Sequence, residues 1–276
     1  MSKSPTDTDY WNGKRAVVTG ASSGLGKVLA ELLVSRGARV LLVARGEDAL
    51  LAVANRLQQN GGDVATVAAD VTKSDDVQRI VKATQQELGG VDLLCHAAGR
   101  SMRGEILATT PEQHRQLWEV NFLAVTQVTQ NLADSLVASG GHVVLIGSLA
   151  SKVAPRYMGA YPASKFPVAA YAQQLRLQWG TTGPHVLLVC PGPLAQPGTA
   201  GRYNEQAAGL PPGASQAGGG ARVHKIDPQW LADQILHACE RRNIELIVPR
   251  KSRLLFALSQ LSPRLGDWLL KKTTAG

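Results

Sequence analysis

Tyr161 and Lys165 stand four apart in the run Tyr161-Pro162-Ala163-Ser164-Lys165. On a helix that spacing puts both on one face, with the ammonium close to the phenol. A phenol with its ordinary pKa of ~10 is a poor acid or base at neutral pH, and a fixed cation beside it favours the phenolate and lowers that value. The pair could then pass a proton to or from a substrate oxygen. Alone the spacing says little, because Tyr and Lys recur at it on many solvated helix faces. The elements upstream give it weight.

The run Ala16-Val17-Val18-Thr19-Gly20-Ala21-Ser22-Ser23-Gly24-Leu25-Gly26-Lys27 opens on an apolar, β-branched stretch. That stretch reads as a buried strand. Gly20, Gly24 and Gly26 make the turn after it, and a helix follows with Leu29, Leu32 and Leu33 facing inward. Strand, glycine turn and helix N-terminus together form an anion site, where backbone N–H groups and the positive end of the helix dipole meet a pyrophosphate. Glycine permits the tight turn and the close approach of backbone to ligand. The next strand ends in Ala44-Arg45, with the nearest acids at Glu47 and Asp48. An acid here would bind the free 2′-hydroxyl of NAD, whereas an arginine suits the 2′-phosphate of NADP. Arg45 and the hydroxyls of Ser22 and Ser23 therefore favour NADP(H).

These residues carry a resemblance: over roughly residues 12 to 250 the chain resembles the short-chain dehydrogenase/reductase family. The glycine motif matches at Gly20, Gly24 and Gly26, and the Asp-Val pair whose Asp meets adenine matches at Asp70-Val71. The family's Asn-Asn-Ala-Gly motif appears as His96-Ala97-Ala98-Gly99, departing in its first two residues. The catalytic Asn, Ser, Tyr and Lys match Asn121, Ser148, Tyr161 and Lys165, and the nicotinamide-proximal Pro-Gly matches Pro191-Gly192. Where the family often has a Thr to hold the carboxamide, this chain has Gln196, with Thr199 as a substitute. The resemblance implies that Tyr161 is the general acid in carbonyl reduction and the base in alcohol oxidation. It implies that Ser148 stabilises the substrate oxygen, that Lys165 lowers the tyrosine pKa and binds the nicotinamide ribose, and that Asn121 holds a relay water. The cofactor-binding set is Gly20, Ser22, Ser23, Gly24, Leu25, Gly26, Arg45, Asp70, Val71, Ala97, Ala98, Gly99, Tyr161, Lys165, Pro191 and Gly192. Asn121 alone also reads as a helix kink or cap. Ser151 is a plausible neighbour of Tyr161, but its spacing fits the catalytic role less well. Pro167, inside the expected helix, removes a backbone donor and predicts a kink.

The 276 residues suffice for one large α/β domain. Strands are expected at 15–19, 38–43, 63–68, 91–96, 142–147, 185–190 and 244–248, alternating with helices. That order predicts a Rossmann-type doubly wound parallel sheet of about seven strands with a C-terminal helical extension. The expected organisation is a flexible tail over 1–10, one catalytic domain over 11–250 and an extension over 251–276. Cys95, Cys190 and Cys239 show no metal or disulfide spacing. They read as buried, inert thiols in a reducing compartment, so a cytoplasmic location is expected. No metal is expected. His96 is expected to line the cofactor site; His114, His142, His185, His224 and His237 read as surface or cap residues. The N-terminus does not read as a signal peptide, and no apolar run reaches the ~20 residues of a transmembrane helix.

Two regions exceed a minimal member of the family. Residues 193–226, rich in Gly, Ala and Pro, follow the Pro-Gly motif, where the family carries a substrate lid. Tyr203, Leu210 and Val223 are its apolar candidates for substrate contact; Leu149 and Ala150 near Ser148 and Met158 near Tyr161 suggest only an apolar wall. The C-terminal region sets Arg250, Lys251, Arg253, Arg264, Lys271 and Lys272 among leucines, Phe256 and Trp268. Residues 221–276 hold ten Lys and Arg against five Asp and Glu, so +5 of the net +8 lies there. Basic residues beside apolar ones suit peripheral contact with an anionic membrane surface. The composition also suits a helix hairpin packed on its own core or on a second subunit, and the balance tips slightly to that reading. The modest charge excess and the lack of a recognition motif argue against nucleic acid. The functional expectation is an NADP-dependent oxidoreductase reducing a ketone or aldehyde on a moderately apolar, lipid- or steroid-like molecule. By resemblance it is a homo-oligomer, dimer or tetramer. The alternative is a catalytically idle NADP-binding sensor or scaffold.

Overall fold

The computed structural model describes residues 10–195, 201, 203–216, 218–220 and 224–274. Its first strand, β1 (Arg15–Thr19), runs through the glycine turn into α1 (Gly24–Ser35). Next come β2 (Arg39–Ala44), α2 (Glu47–Gln59), β3 (Val64–Ala68), α3 (Ser74–Ala83) and β4 (Leu93–His96). α4 (Pro111–Trp118) passes through a π-helical turn, Glu119–Leu123, into α5 (Ala124–Ser139). The alternation continues with β5 (His142–Ile146), α6 (Tyr161–Trp179), β6 (His185–Pro191), α7 (Pro228–Glu240) and β7 (Glu245–Val248). Two short helices follow, α8 (Ser252–Leu261) and α9 (Pro263–Thr274).

Among the described residues the strands form one parallel sheet in the order β3-β2-β1-β4-β5-β6-β7. Every strand expected from sequence is present, with ends moved by no more than two residues. Successive side chains of a strand point to opposite faces, so a run such as Ala16-Val17-Val18 serves two cores. Ala16 and Val18 pack with α1, α2 and α7; Val17 packs with α3, α5 and α6. Leu29 and Leu33 of α1 are 1% and 0% exposed. Each such leucine contributes about 1.5–3 kcal/mol through burial. Local signals agree with the packing: Thr110 and Gln113 cap α4 reciprocally, and Gly140, at φ +59°, ends α5 in the left-handed conformation.

α6 runs unbroken through Pro167. The ring removes one helical donor, but the helix is held by its buried face, Val168, Ala172 and Leu175, so packing overrides the breaker.

Two histidines depart from expectation. His142 and His185, read as surface or cap residues, are buried at the starts of β5 and β6, where their strands pair directly. His185 Nε2 lies 2.8 Å from the Asn243 carbonyl oxygen. A carbonyl only accepts, so Nε2 carries the proton and Nδ1 of the neutral ring is bare. The 2.9 Å contact between the two Nδ1 atoms then requires His142 to donate, and His142 Nε2 accepts from the Tyr10 hydroxyl at 2.6 Å. The result is a directed chain of three bonds, Tyr10 to His142 to His185 to Asn243. Burial first, then the neighbouring His185, Arg242 and Lys14, push His142 down to about 3, which keeps its ring neutral. The three cysteines are free and buried, as expected.

Candidate active site

Strand order reverses between β1 and β4, so the connections that leave their C-terminal ends diverge and open a crevice there. The cleft at this edge encloses about 1780 Å³. A single small-molecule site needs roughly 300–1,000 Å³, so this one has room for a dinucleotide and a second ligand.

The nucleotide end is built on close backbone approach. Gly20 has φ +70°, and a Cβ there would lie 2.7 Å from the Ala98 amide nitrogen. Thr19, unnoticed in the sequence, joins the two strand ends: its hydroxyl accepts from the Ala98 amide at 3.2 Å. Ser23 is the N-cap of α1 without a side-chain capping bond, and the first turn of α1 holds no acid. Such a helix start, bordered by Ser22 and Leu25 in the cleft wall, fits a phosphate. Arg45 lines the cleft beyond β2, joined by Lys27 and by Arg56, which is ion-paired with Glu31. Sequence periodicity gave no cue to those two, because they come from α1 and α2 rather than from the strand end. Asp70 and Val71 also line the cleft, and Asp70 Oδ1 accepts from the Thr72 hydroxyl at 2.8 Å and amide at 3.0 Å.

At the other end, Ser148 follows β5 and Tyr161 opens α6, and both line the cleft wall, where Ser148 acts on the Tyr161 phenol. Ser148 is held from below, because Ser151 Oγ accepts its amide at 3.1 Å. Ser151 is 2% exposed and supports Ser148 instead of facing the cleft. Lys165 lies on the cleft wall and donates to the Ile146 carbonyl at 2.8 Å. Burial pushes its ammonium down to about 8, so near pH 7 it remains mostly charged. Burial raises the Tyr161 phenol; Ser148 is the larger opposing influence, and the cation that lowers it is Arg103. Sequence reasoning gave that task to Lys165, whose donation goes instead to the Ile146 carbonyl.

Asn121 and His96 stand behind the wall. Asn121 is fully buried in the π-helical turn, its amide joined to Arg100 and Ser164. Gly99 fits against it: a Cβ there would lie 2.9 Å from Asn121 Oδ1 and 3.6 Å from Lys165 Nζ. His96, expected to line the cofactor site, is buried at the end of β4 and bonds the Thr129 hydroxyl at 2.9 Å. Strand alternation turns it to the α5 face, while Ala97, Ala98 and Gly99 line the cleft.

Pro191 and Gly192 border the cleft where β6 ends. Residues 193–226 leave and return at one point, since the Ala195 amide donates to the Ile226 carbonyl and the Ile226 amide to the Pro193 carbonyl, both at 2.8 Å. Tyr203 lines the cleft, and the Arg103 guanidinium stacks 3.9 Å from its ring centroid. Leu210 is half-buried away from the cleft, so the expected contact is not made by that residue. Val223, Gln196 and Thr199 lie outside the described residues. Arg103 is the main residue that sequence reasoning missed: it is 3% exposed, its amide donates to Gln206 Oε1 at 2.9 Å and its guanidinium to the Gln216 carbonyl at 3.1 Å. Nothing in its sequence context marks it, because its partners lie about a hundred residues away.

The pattern of the family described as short chain dehydrogenase matches residues 14–207. The chain belongs to the short-chain dehydrogenase/reductase family. It is 32% identical to an uncharacterized oxidoreductase of Staphylococcus aureus strain N315 over 226 residues, 82% of this chain and 90% of that one. It is 35% identical over 256 residues to the glycine betaine reductase ATRR of Emericella nidulans, covering 90% of this chain but only 19% of that protein. A short-chain dehydrogenase/reductase structure from Burkholderia phymatum in complex with NAD superposes with a TM-score of 0.79 at 24% identity, over 92% of this chain and 95% of that one. Family membership makes the chain a pyridine-nucleotide-dependent oxidoreductase. The comparisons give no support to an idle sensor.

Proposed function

We propose that this short-chain dehydrogenase/reductase uses NADP(H) to reduce a ketone or aldehyde on a moderately apolar molecule. The observation that carries this reading is that two hydroxyls, Ser148 and Tyr161, line one cleft together with Lys165. A carbonyl oxygen placed between them would accept from both, and Tyr161 would give it the proton as charge develops. Arg103, the cation that lowers the phenol, would favour the tyrosinate left behind. When bound, the nicotinamide supplies the hydride. Asn121 acts in this reading by fixing Arg100 and Ser164 around Lys165. Met158, Leu149 and Ala150 line the substrate end and support an apolar substrate.

NADP is favoured over NAD by the charge around the second strand's end: Arg45, Lys27 and Arg56 line the cleft there, with Glu31 paired to Arg56. A phosphate among these cations gains charge-assisted hydrogen bonds. We read residues 11–250 as the catalytic unit, 193–226 as its lid and 251–276 as an extension. Free, buried cysteines support a reducing compartment such as the cytoplasm. Exposed Trp118, Leu123, Phe166 and Leu177 on α4, the π-helical turn and α6 support assembly into a dimer or tetramer.

The test is NADPH oxidation followed by absorbance against short aldehydes, cyclic ketones, steroid ketones and long-chain keto lipids. Turnover that vanishes in Tyr161→Phe, with NADPH binding kept, is the expected result. Turnover undiminished in Tyr161→Phe overturns the assigned acid.

A further inference from the structure

β7 runs parallel to the rest of the sheet, so the chain leaves Val248 on the edge where the cleft opens. α8 and α9 therefore begin at its mouth. Their inner side is anchored: Phe256 is buried and packs on the core with Leu255 and Leu270. Gly266 brings the two helices close, since a Cβ there would lie 2.8 Å from Ser259 Cα. The outer side stays open. Leu254, Leu261, Leu265 and Trp268 are 66%, 83%, 39% and 55% exposed. Arg250, Lys251, Arg253, Arg264, Lys271 and Lys272 flank them in sequence, all exposed, with Asp267 the sole acid from 250 onward. Lys272 Nζ stands 5.2 Å from the Trp268 ring centroid. Leu254 belongs to both surfaces, because it also lines the cleft.

We propose that this hairpin seats the mouth of the cleft on an anionic lipid bilayer, and that the substrate passes from the bilayer into the cleft along Leu254. The route for substrate rests on the reductase reading; the docking does not. Charge decides the occupant. Two copies meeting through the same patch would set six cations and one acid against their like. Anionic headgroups neutralise those cations, while Leu261, Leu265 and Trp268 enter the boundary between headgroups and acyl chains. The hairpin lies on the membrane and does not cross it. Its helices of ten and twelve residues span about 15–18 Å, against a hydrocarbon core of about 30 Å. No helix among the described residues is long and apolar enough to cross.

Flotation of the full chain tests this, with vesicles of phosphatidylcholine alone or mixed with phosphatidylglycerol. At low salt, flotation with the anionic vesicles should exceed that with neutral ones by about tenfold or more and fall as salt rises. Leu261→Asp/Trp268→Asp should lose flotation while keeping NADPH oxidation with a small water-soluble carbonyl. Lys271→Glu/Lys272→Glu, confined to exposed side chains, should lose it as well. Three results would overturn the proposal: no flotation on anionic vesicles at low salt, undiminished flotation of both double variants, or a native oligomer that falls to monomer in the Leu261/Trp268 variant. Flotation requires no turnover. A chain that floats but reduces nothing sinks the reductase reading alone, and one that reduces but does not float sinks the docking alone.

Discussion

Asn121 clasps the backbone of Arg100 at two points, its Oδ1 accepting from the amide at 2.9 Å and its Nδ2 donating to the carbonyl at 2.8 Å. The same Nδ2 donates to Ser164 Oγ at 2.8 Å, one residue before Lys165. One fully buried amide thus joins the loop after β4 to the helix that carries Tyr161 and Lys165. Asn121→Ala removes the clasp and strands buried backbone groups. It should lower unfolding stability by about 2–4 kcal/mol, measured by urea denaturation. NADPH affinity, read by fluorescence, should weaken too, because the loose loop includes Ala97, Ala98 and Gly99.

Arg103 lowers the phenol of Tyr161 against the upward push of burial. In the reductive direction the protonated phenol is the active form, so activity holds below its pKa and falls above it. Arg103→Met should therefore move the alkaline limb of kcat/KM to higher pH. It should also weaken substrate binding, since the Gln216 carbonyl and the Tyr203 ring lose the guanidinium. A pH profile of the variant beside the native enzyme checks both, and an unmoved limb would deny Arg103 its electrostatic part.

Arg45 tests the nucleotide preference. Arg45→Asp exchanges a cation for an anion where the proposed 2′-phosphate would bind. NADPH affinity should fall by about tenfold or more, and NADH should be preferred, as measured by kcat/KM for each. An unchanged ratio would leave Lys27 and Arg56 as the phosphate readers.

Burial gives the chain a stability loss in acid. Burial, reinforced by Lys165, pushes His96 down to about 3. Unfolded, the same ring titrates near ~6.5. Below that value the unfolded chain takes up a proton that the folded chain refuses, so this contribution is full above it and is lost as pH falls toward the folded value. His142 behaves alike, also held to about 3. His96→Asn removes one such group. Its loss of stability between about pH 7 and pH 5 should be about 2 kcal/mol smaller than the native chain's, read from urea denaturation at both values.

Local signals made most of the fold legible. Apolar β-branched runs marked the strands, and the glycines at 20, 24 and 26 marked the phosphate turn within a few residues of chain. The site's outline followed from the same spacing, since Ser148, Tyr161 and Lys165 are fixed by one strand end and one helix start. What stayed hidden depends on distant partners. His142 and His185 look like polar strand starts until β5 and β6 are paired. Arg103 looks like any basic loop residue until residues 206 and 216 fold over it. His96 shares a motif with cleft residues but falls on the other face of the strand, a difference of one residue in register.

The paired amides at Ala195 and Ile226 have a consequence for how this enzyme could change its substrate. They fasten both ends of the segment to the rim of the sheet, so its interior need not be in register with any strand. For a flexible loop, each doubling of length between fixed ends costs only about 0.6 kcal/mol in closure entropy. Under the proposed lid role, a relative's stretch of different length, grafted between Ala195 and Ile226, should fold on this framework and carry its own selectivity with it.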